Sequence, residues 1–291
     1  PAPDLSGRVA VVTGANRGIG RATALGIART GARVVLVCRR VEDGEAAAHA
    51  IGAATGNAAL EVEPCDLAVR ARVATAAAAI AARHPALHVL VNNAGVAQKV
   101  RTLSPDGVEL TVAVNHLAYM QLTLGLLGSL CGGAPARIVN VSSRAHERER
   151  LDLDDLELAR NYGGVRQYCR SKLMNVAFTA ELARRLEGTG ITANALHPGV
   201  IGTRLLVEYF PRPLQPLVAR FTGTPEEGAD TSVWLATSPE VAGVSGRYFV
   251  RRRAVPANPQ ALDPEVAGRL WEWSAARLGL PADVPPRRAV P

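Results

Sequence analysis

The chain has 291 residues, of which 48 % are hydrophobic and 20 % are charged, a balance typical of a soluble globular protein and not of a disordered or membrane-spanning one. Its net charge of +7 comes from scattered arginines and only 4 % of its residues are aromatic, so nucleic-acid binding is not predicted. Apolar runs are too short for a membrane span and no signal-like N-terminus is seen, so we expect no membrane anchor. The four cysteines show no metal-ligand spacing, which indicates reduced thiols, a cytoplasmic location and no metal site.

Short apolar runs alternate along the chain with stretches of helical spacing. Strands are predicted at 8–13, 33–38, 59–64, 88–93, 137–142, 192–197 and 246–250, and helices at 18–30, 41–55, 67–83, 106–130, 168–188 and 264–278. Strands that are apolar on both faces and separated by helices indicate a parallel sheet covered on both sides. We therefore predict an α/β fold, a single-domain Rossmann-type doubly wound parallel sheet of about seven strands over 1–280. A substrate lid is expected near 204–224 and a disordered Pro-rich tail at 281–291.

The first predicted strand ends in the sequence TGANRGIG, a glycine-rich turn into a helix. Glycine permits a tight turn and lets backbone amides approach a pyrophosphate at the helix N-terminus. A tight turn that merely allows close helix packing is the alternative explanation. The residues assigned to cofactor binding here are Gly14, Asn16, Arg17, Gly18, Ile19 and Gly20.

The second strand ends in Cys38, Arg39 and Arg40, where an NAD-selective protein would place an acid for the ribose hydroxyls. Arginine instead suits a 2′-phosphate, because its planar fork donates two charge-assisted hydrogen bonds. Arg17 would add a second cation to the same pocket. Although strand-end arginines can simply be solvated, we predict NADP(H) as the cofactor in preference to NAD(H).

Later strand ends carry polar residues or glycine at the edge where open parallel sheets bind ligands. Asp66 is predicted to bind an adenine amino group or to cap the next helix, and His197 is interpreted as structural. Thr203 is expected to meet the nicotinamide carboxamide. The other cofactor residues predicted at these ends are Leu67, Asn92, Asn93, Ala94, Gly95, Pro198, Gly199 and Val200.

Tyr168 and Lys172 form an i, i+4 pair in a chain with few lysines, since Lys99 is the other one among 33 basic residues. An ammonium group beside a phenol is expected to lower the tyrosine pKa and make it a general acid or base. Ser142 and Ser143 end the fifth strand, where a hydroxyl could bind a carbonyl oxygen. Asn115 lies within a predicted helix, where asparagine is unfavourable unless its side chain has a partner.

In this order, TGANRGIG, CDL, NNAG, VNHL, VSS, YCRSK and HPGVIGT resemble the short-chain dehydrogenase/reductase superfamily. SSRAH and ATSPEVAGVSGRYF resemble its retinol dehydrogenase-like branch. The resemblance implies that Tyr168 donates a proton, Ser143 rather than Ser142 polarises the carbonyl, and Lys172 binds the nicotinamide ribose. It further implies that Asn115 holds a water in a proton relay, and that a homodimer or homotetramer could pair helices 106–130 and 168–188.

The sequence thus predicts an NADP(H)-dependent oxidoreductase that moves a hydride between nicotinamide C4 and a small-molecule ketone or aldehyde, or the corresponding alcohol. Bulky apolar segments suggest a lipophilic substrate, and the Arg- and Ala-rich composition suggests a bacterial protein of secondary metabolism. Two alternatives stay open: a cofactor-assisted cyclase, dehydratase or epimerase, and an NADP-sensing protein without catalysis.

Overall fold

The sheet forms where the sequence places its β-branched runs. A computed structural model describes residues 3–199, 201 and 222–283. The sheet has 8 strands in the order β3-β2-β1-β4-β5-β6-β7-β8, all parallel except for the last pair. This is the doubly wound arrangement predicted from the sequence. The strands are β1 Val9–Thr13, β2 Arg33–Cys38, β3 Leu60–Pro64, β4 Val89–Asn92, β5 Ala136–Val141, β6 Ile191–His197, β7 Tyr248–Val250 and β8 Arg253–Val255.

The eighth strand is the one that the sequence does not predict. Arg251 and Arg252 form the tight turn between β7 and β8, with φ values of 49° and 61°. Glycine and asparagine are the residues that normally signal such a turn, so an arginine run gives no hairpin signal. The Arg252 guanidinium is bound by both carboxylate oxygens of Asp230, which helps to hold the turn.

Helices cover both faces of the sheet. One face carries α1 Gly18–Ala28, α2 Val41–Thr55 and α8 Pro225–Thr237. The other face carries α3 Arg70–Arg83, α4 Leu110–Val112, α5 Ala118–Gly125, α6 Leu127–Gly132, α7 Gly164–Arg185, α9 Pro259–Leu262 and α10 Pro264–Leu278. Alternate residues of each strand enter the two cores, as the pleat requires.

The helix predicted over 106–130 is interrupted. It begins at Leu110, because the Glu109 side chain accepts the Val112 N–H at 2.9 Å and so ends the preceding loop. Between α4 and α5, Ala113–Leu117 adopts a π-helical turn that contains Asn115. π-Helical turns are rare and occur often at functional sites.

Two other helix starts also differ from prediction. α3 begins at Arg70 and not at 67. At this first residue of the helix, the Arg70 N–H donates to the carboxylate of Asp106 at 2.7 Å. α7 begins at Gly164, one turn before Tyr168.

The carboxyl-terminal helices α9 and α10 pack on α7. Trp271 of α10 stacks on Phe178 of α7 with ring centroids 5.7 Å apart, and the Arg185 guanidinium lies 4.2 Å from the Trp271 ring centroid. The α7 surface that we expected to pair between subunits is therefore covered within the chain, and the oligomeric state stays a prediction. The predicted tail begins with 281–283, where the Ala282 carbonyl accepts bonds from Arg185 and Trp271.

The predicted lid falls mostly outside the described residues, which resume at 222, and the tail beyond 283 also lies outside them. Thr224, at the end of the lid range, caps α8 through a reciprocal capping box with Glu227. Within the described part of the chain, no helix combines the length and apolar character needed to cross a membrane.

Candidate active site

The carboxyl ends of β1 and β4 are joined by a residue that sequence reasoning missed, Thr13. Its hydroxyl oxygen accepts the N–H groups of Asn93 and Ala94 at 2.9 and 3.0 Å, and the Asn93 side-chain amide donates to the Thr13 carbonyl at 2.9 Å. These bonds fix the NNAG turn against the glycine turn. The available signal was a threonine directly before Gly14 at a strand end.

The glycine turn has the shape that its sequence predicts. Gly14 and Gly18 have φ values of +65° and +55°, and the Gly14 N–H donates to the Val37 carbonyl at 2.8 Å. A Cβ on Gly20 would overlap the Gly14 carbonyl oxygen, so close packing does require glycine there. Arg17 precedes α1 without a side-chain bond to the helix amides. The first amides of α1 are therefore positioned as a cradle for an anion, and the geometry fits a pyrophosphate.

An acid follows the end of β2, where the sequence analysis considered only Cys38 and the arginines. Asp43, in the first turn of α2, accepts the Arg40 Nε–H at 2.8 Å. That hydrogen bond, with smaller effects from the charge of Arg17 and a bond from Asn16, holds the pKa of the Asp43 carboxyl below its usual value. Arg17, Arg39 and Arg40 are all exposed. Arg40 is thus paired with a carboxylate five residues beyond the strand end, and the charge of Arg17 acts on the same carboxylate.

Asn92 does not face the cofactor side. It is 0 % exposed, and its amide donates to Thr123 Oγ1 at 3.0 Å and to Asn140 Oδ1 at 2.9 Å. Its side chain points to α5 because side chains alternate along a strand, and Val91 before it takes the opposite face. Its side-chain amide is therefore used within the protein, and its assignment to the cofactor stays a prediction.

Asp66 and Leu67 lie in the turn between β3 and α3. Asp66 Oδ1 accepts the Ala68 N–H at 3.0 Å, so Asp66 stabilises this turn and is not the N-cap residue of α3, which is Val69. Leu67 packs partly buried against the core. Asp66 stays partly exposed and accessible to a ligand.

Tyr168 and Lys172 lie on one face of α7 as their spacing predicts. Lys172 Nζ is 5.6 Å from the Tyr168 ring centroid and donates to the Val141 carbonyl at 3.1 Å. Burial lowers the pKa of Lys172 to about 8. Burial also raises the pKa of Tyr168 to about 12, although a hydrogen bond with Ser143 acts in the opposite direction. The predicted lowering by Lys172 is wrong for this structure, because desolvation of the phenolate dominates.

The two serines after β5 have different partners. Ser142 is 1 % exposed and donates to the Lys172 carbonyl at 2.7 Å, whereas Ser143 lies near enough to Tyr168 to act on the pKa of its phenol. Sequence reasoning did not assign His146 to the site. Its Nδ1 lies 2.7 Å from the Ser143 carbonyl oxygen, and its Nε2 accepts the Asn258 N–H. Since Nε2 accepts, Nδ1 carries the proton and donates to Ser143. The structure therefore directs Ser143, and not Ser142, towards Tyr168.

Asn115 is fixed by three hydrogen bonds. Its Oδ1 accepts the Val96 N–H at 2.8 Å, and its Nδ2 donates to the Val96 carbonyl at 2.9 Å and to Ser171 Oγ at 3.0 Å. Gly95 lies between this amide and Lys172: a Cβ there would be 3.4 Å from Asn115 Oδ1 and 3.6 Å from Lys172 Nζ. Asn115, Lys172, Tyr168 and Ser143 therefore lie close to one another at the carboxyl edge of the sheet.

Comparison with known proteins places this geometry in a family. The family described as "short chain dehydrogenase" matches residues 8–213. Human retinol dehydrogenase 11 is 42 % identical over 280 residues, which cover 96 % of this chain and 88 % of that protein. The chain belongs to the short-chain dehydrogenase/reductase superfamily. Within it, such relatives place the chain in the retinol dehydrogenase-like branch.

Solved structures of short-chain dehydrogenase/reductase proteins share the fold. An uncharacterised protein from Mycobacterium paratuberculosis has a TM-score of 0.78 and 31 % identity, with 96 % of each chain covered. Pseudomonas aeruginosa RhlG, in an active-site complex with NADP, has a TM-score of 0.69 and 28 % identity, with 84 % of this chain and 95 % of that chain covered.

The end of β6 completes the described edge of this short-chain dehydrogenase/reductase site. Gly199 has a φ of +98° and lies after Pro198, while Val200 and Thr203 are outside the described residues. Burial, followed by the charge of Arg144, lowers the pKa of His197 to about 4, so this imidazole is neutral at pH 7.

A cleft of about 830 Å³ opens at the opposite, amino-terminal edge of the sheet, and Tyr168 does not line it. One of its part-buried cations, Arg137, donates to the carbonyls of Leu235 and Ser238 at the end of α8. This guanidinium therefore caps a helix C-terminus. The candidate catalytic residues lie instead at the carboxyl edge.

Proposed function

We propose that the chain is an NADP(H)-dependent oxidoreductase that transfers a hydride between nicotinamide C4 and a lipophilic ketone or aldehyde, or the corresponding alcohol. The observation that carries the proposal is the convergence of Tyr168, Ser143, Lys172 and Asn115 at one sheet edge. A tyrosine beside a serine hydroxyl is suited to act on a carbonyl oxygen, because one group can donate a proton while the other donates a hydrogen bond.

In the reductive direction, the Tyr168 hydroxyl protonates the developing alkoxide. Its raised pKa of about 12 keeps the proton on the phenol at neutral pH, so the donor form is populated. Ser143 orients the substrate oxygen, and His146 holds the Ser143 backbone. Lys172 and Asn115 supply the route by which Tyr168 regains its proton. In the oxidative direction, the same groups accept the proton from the alcohol.

The glycine turn and the strand-end cations are proposed to hold the cofactor, which supplies or accepts the hydride. The amides of Gly18–Gly20 would bind its pyrophosphate, Asp66 its adenine, and Arg17 and Arg39 its 2′-phosphate. Lys172 would bind the nicotinamide ribose. The NADP complex of RhlG supports this choice of cofactor for a related fold.

The substrate is proposed to be a lipophilic carbonyl compound or alcohol, as the name of human retinol dehydrogenase 11 suggests for that relative. A panel of lipophilic ketones, aldehydes and alcohols, including retinal and retinol, should be assayed with NADPH, NADP, NADH and NAD. We expect higher kcat/KM with the phosphorylated cofactors. Higher kcat/KM with NADH would contradict the roles given to Arg17 and Arg39. Oxidation of one cofactor molecule for each product molecule formed would support redox turnover, and product formation without net oxidation of the cofactor would favour an epimerase.

We further propose a cytoplasmic location, consistent with four free cysteines.

Tyr168→Phe tests the central role directly. We expect kcat to fall at least about 10³-fold, because the proton donor is lost while the ring is kept. NADPH affinity, measured by fluorescence titration, should change by less than about two-fold. Tyr248→Phe is the control, since it removes the hydroxyl of a tyrosine that is 3 % exposed and whose hydroxyl has no hydrogen-bond partner among the described residues, and it should retain turnover. Wild-type kcat in Tyr168→Phe would exclude Tyr168 as the proton donor.

A further inference from the structure

The residue after Asn115 ties the π-helical turn to the carboxyl-terminal helix α10. His116 is 1 % exposed, and its Nε2 lies 2.7 Å from Ser274 Oγ of α10, which is 0 % exposed. The Ser274 hydroxyl donates its proton to the Leu270 carbonyl at 2.7 Å. Because this proton is used, the hydrogen between the two side chains belongs to His116 Nε2. His116 is therefore neutral with its proton on Nε2, in agreement with a pKa lowered to about 4 by burial.

Packing and hydrogen bonding hold α10 in place, and with it the Ser274 hydroxyl that contacts His116. Its Trp271 stacks on Phe178, and Phe178 also meets the His116 ring edge-on at a centroid distance of 6.0 Å. The Trp271 indole N–H donates to the Ala282 carbonyl at 3.0 Å, which anchors the end of the helix. His116 thus lies between two aromatic-packed helices, α7 and α10.

Asn115 and His116 are adjacent, yet they are bonded to opposite parts of the molecule. Asn115 is held by Val96 and Ser171 on the active-site side, and His116 is held by Ser274 on the outer side. The turn that contains both is π-helical over Ala113–Leu117, a rare conformation that occurs often at functional sites. The turn is thus held by hydrogen bonds from two sides.

We propose that Ser274 and His116 are positioning residues, which hold Asn115 in register with Lys172 so that the proton route to Tyr168 stays connected. The inference rests on the proposed function, because it assumes that Asn115 takes part in turnover. α10 then does more than cover α7: one hydroxyl of this helix acts on the active site through the π-helical turn.

A double-mutant cycle tests the proposal. Ser274→Ala should lower kcat about ten-fold with KM for NADPH unchanged, and should lower it less than about two-fold when Asn115→Ala is already present. Ser232→Ala, which removes another 0 % exposed serine on the opposite face of the sheet, should leave kcat unchanged. An equal fold-loss from Ser274→Ala in both backgrounds, or no loss in a folded Ser274→Ala protein, would overturn the inference. Full turnover in Asn115→Ala would instead overturn the proposed role of Asn115, and the inference with it.

If Ser274→Ala does not fold, a second pair of variants decides. His116→Gln keeps a side-chain N–H donor near the position of Nε2, and His116→Leu removes it. We expect His116→Gln to retain more than about half of the wild-type kcat and His116→Leu to lose about ten-fold, with equal melting temperatures. Equal kcat in the two folded variants would overturn the inference.

Discussion

On one face of the sheet, α1, α2 and α8 pack through glycine and alanine, whereas on the other face α5, α7 and α10 bury polar side chains that bond to one another. Gly26 of α1 meets Val233 of α8 so closely that a Cβ would lie 2.5 Å from the valine methyl group. On the other face, Asn140 donates to Thr179 at 2.9 Å, and Thr179 donates to the Asn175 carbonyl at 2.6 Å.

The two faces therefore respond differently to substitution. Where helices approach through glycine, added volume is the main threat to stability, because a close-packed interior cannot expand cheaply. Where polar groups are buried, loss of one partner leaves another without a hydrogen bond. The proposed proton route lies on the polar face, so activity and stability can be changed separately on the two faces.

Lys172→Met has the largest expected effect. It should lower activity while raising the stability of the folded protein, on the face of the sheet that buries polar side chains. We expect kcat to fall about 10³-fold, since the ammonium group next to Tyr168 is lost. At pH 7 the free energy of unfolding should rise by about 1–3 kcal/mol, because burial lowers the Lys172 pKa from 10.5 to about 8 and a buried charge is removed. Urea unfolding at several pH values measures this change.

The sign of the pH dependence follows from that lowered pKa. Below pH 8 the lysine is charged in both the folded and the unfolded wild-type chain, so its full burial cost is present. Between pH 8 and 10.5 the folded chain binds fewer protons, so wild-type stability rises relative to Lys172→Met and the difference closes. Lys99→Met is the control, because Lys99 is exposed. A Lys172→Met protein that is less stable at pH 7, or that keeps its turnover, would contradict this account.

Gly26→Ala tests the glycine-packed face. The new methyl group would meet Val233, whose β-branched side chain has little rotamer freedom, so we expect a net destabilisation of about 1–2 kcal/mol. Gly268→Ala is the matched control within α10, where a Cβ has nothing within 4 Å, and it should gain about 0.5–1 kcal/mol from helix propensity. Thermal unfolding measures both variants. Equal effects of the two substitutions would show that contact with Val233 does not limit packing.

Sequence reasoning predicted the elements that depend on local pattern. The seven parallel strands, the glycine turn and the shared helix face of Tyr168 and Lys172 all follow from periodicity and spacing, and the structure confirms them. The β7–β8 hairpin and the π-helical turn were not predicted, because bonds between residues distant in sequence maintain them. Arg252 is bonded to Asp230 at the hairpin, and Asn115 is bonded to Val96 at the π-helical turn.

The site errors have a common physical origin. The Tyr168 pKa depends on burial, which the sequence does not report, and Lys172 Nζ donates to the Val141 carbonyl. Asn92 was assigned to the cofactor because it ends a strand, but the pleat turns its amide towards Thr123. Asp43 was overlooked because the strand-end rule considers the strand end itself, and this acid comes from the first turn of the next helix.

Asp43→Asn has the smallest expected effect, which is on cofactor preference. Asp43 lies in the first turn of α2, on the face of the sheet that packs through glycine and alanine. The Asp43 carboxylate accepts hydrogen bonds from the Arg40 guanidinium. It also adds a negative charge near the position where a 2′-phosphate is proposed to bind. Its removal should raise the ratio of kcat/KM for NADPH over NADH about three-fold to ten-fold, without changing stability or kcat. The gain should shrink at high salt, since the arginines are exposed and Asp43 is partly exposed.

Glu45→Gln is the matched control for Asp43→Asn, because it removes one exposed carboxylate from the same helix without touching Arg40. Steady-state kinetics with both cofactors at low and high salt measure the ratios. An unchanged ratio in Asp43→Asn would mean that the Arg40–Asp43 pair lies outside the 2′-phosphate pocket. A lower ratio would mean that Asp43 assists phosphate binding by orienting Arg40, and the acid at this rim would then favour NADPH.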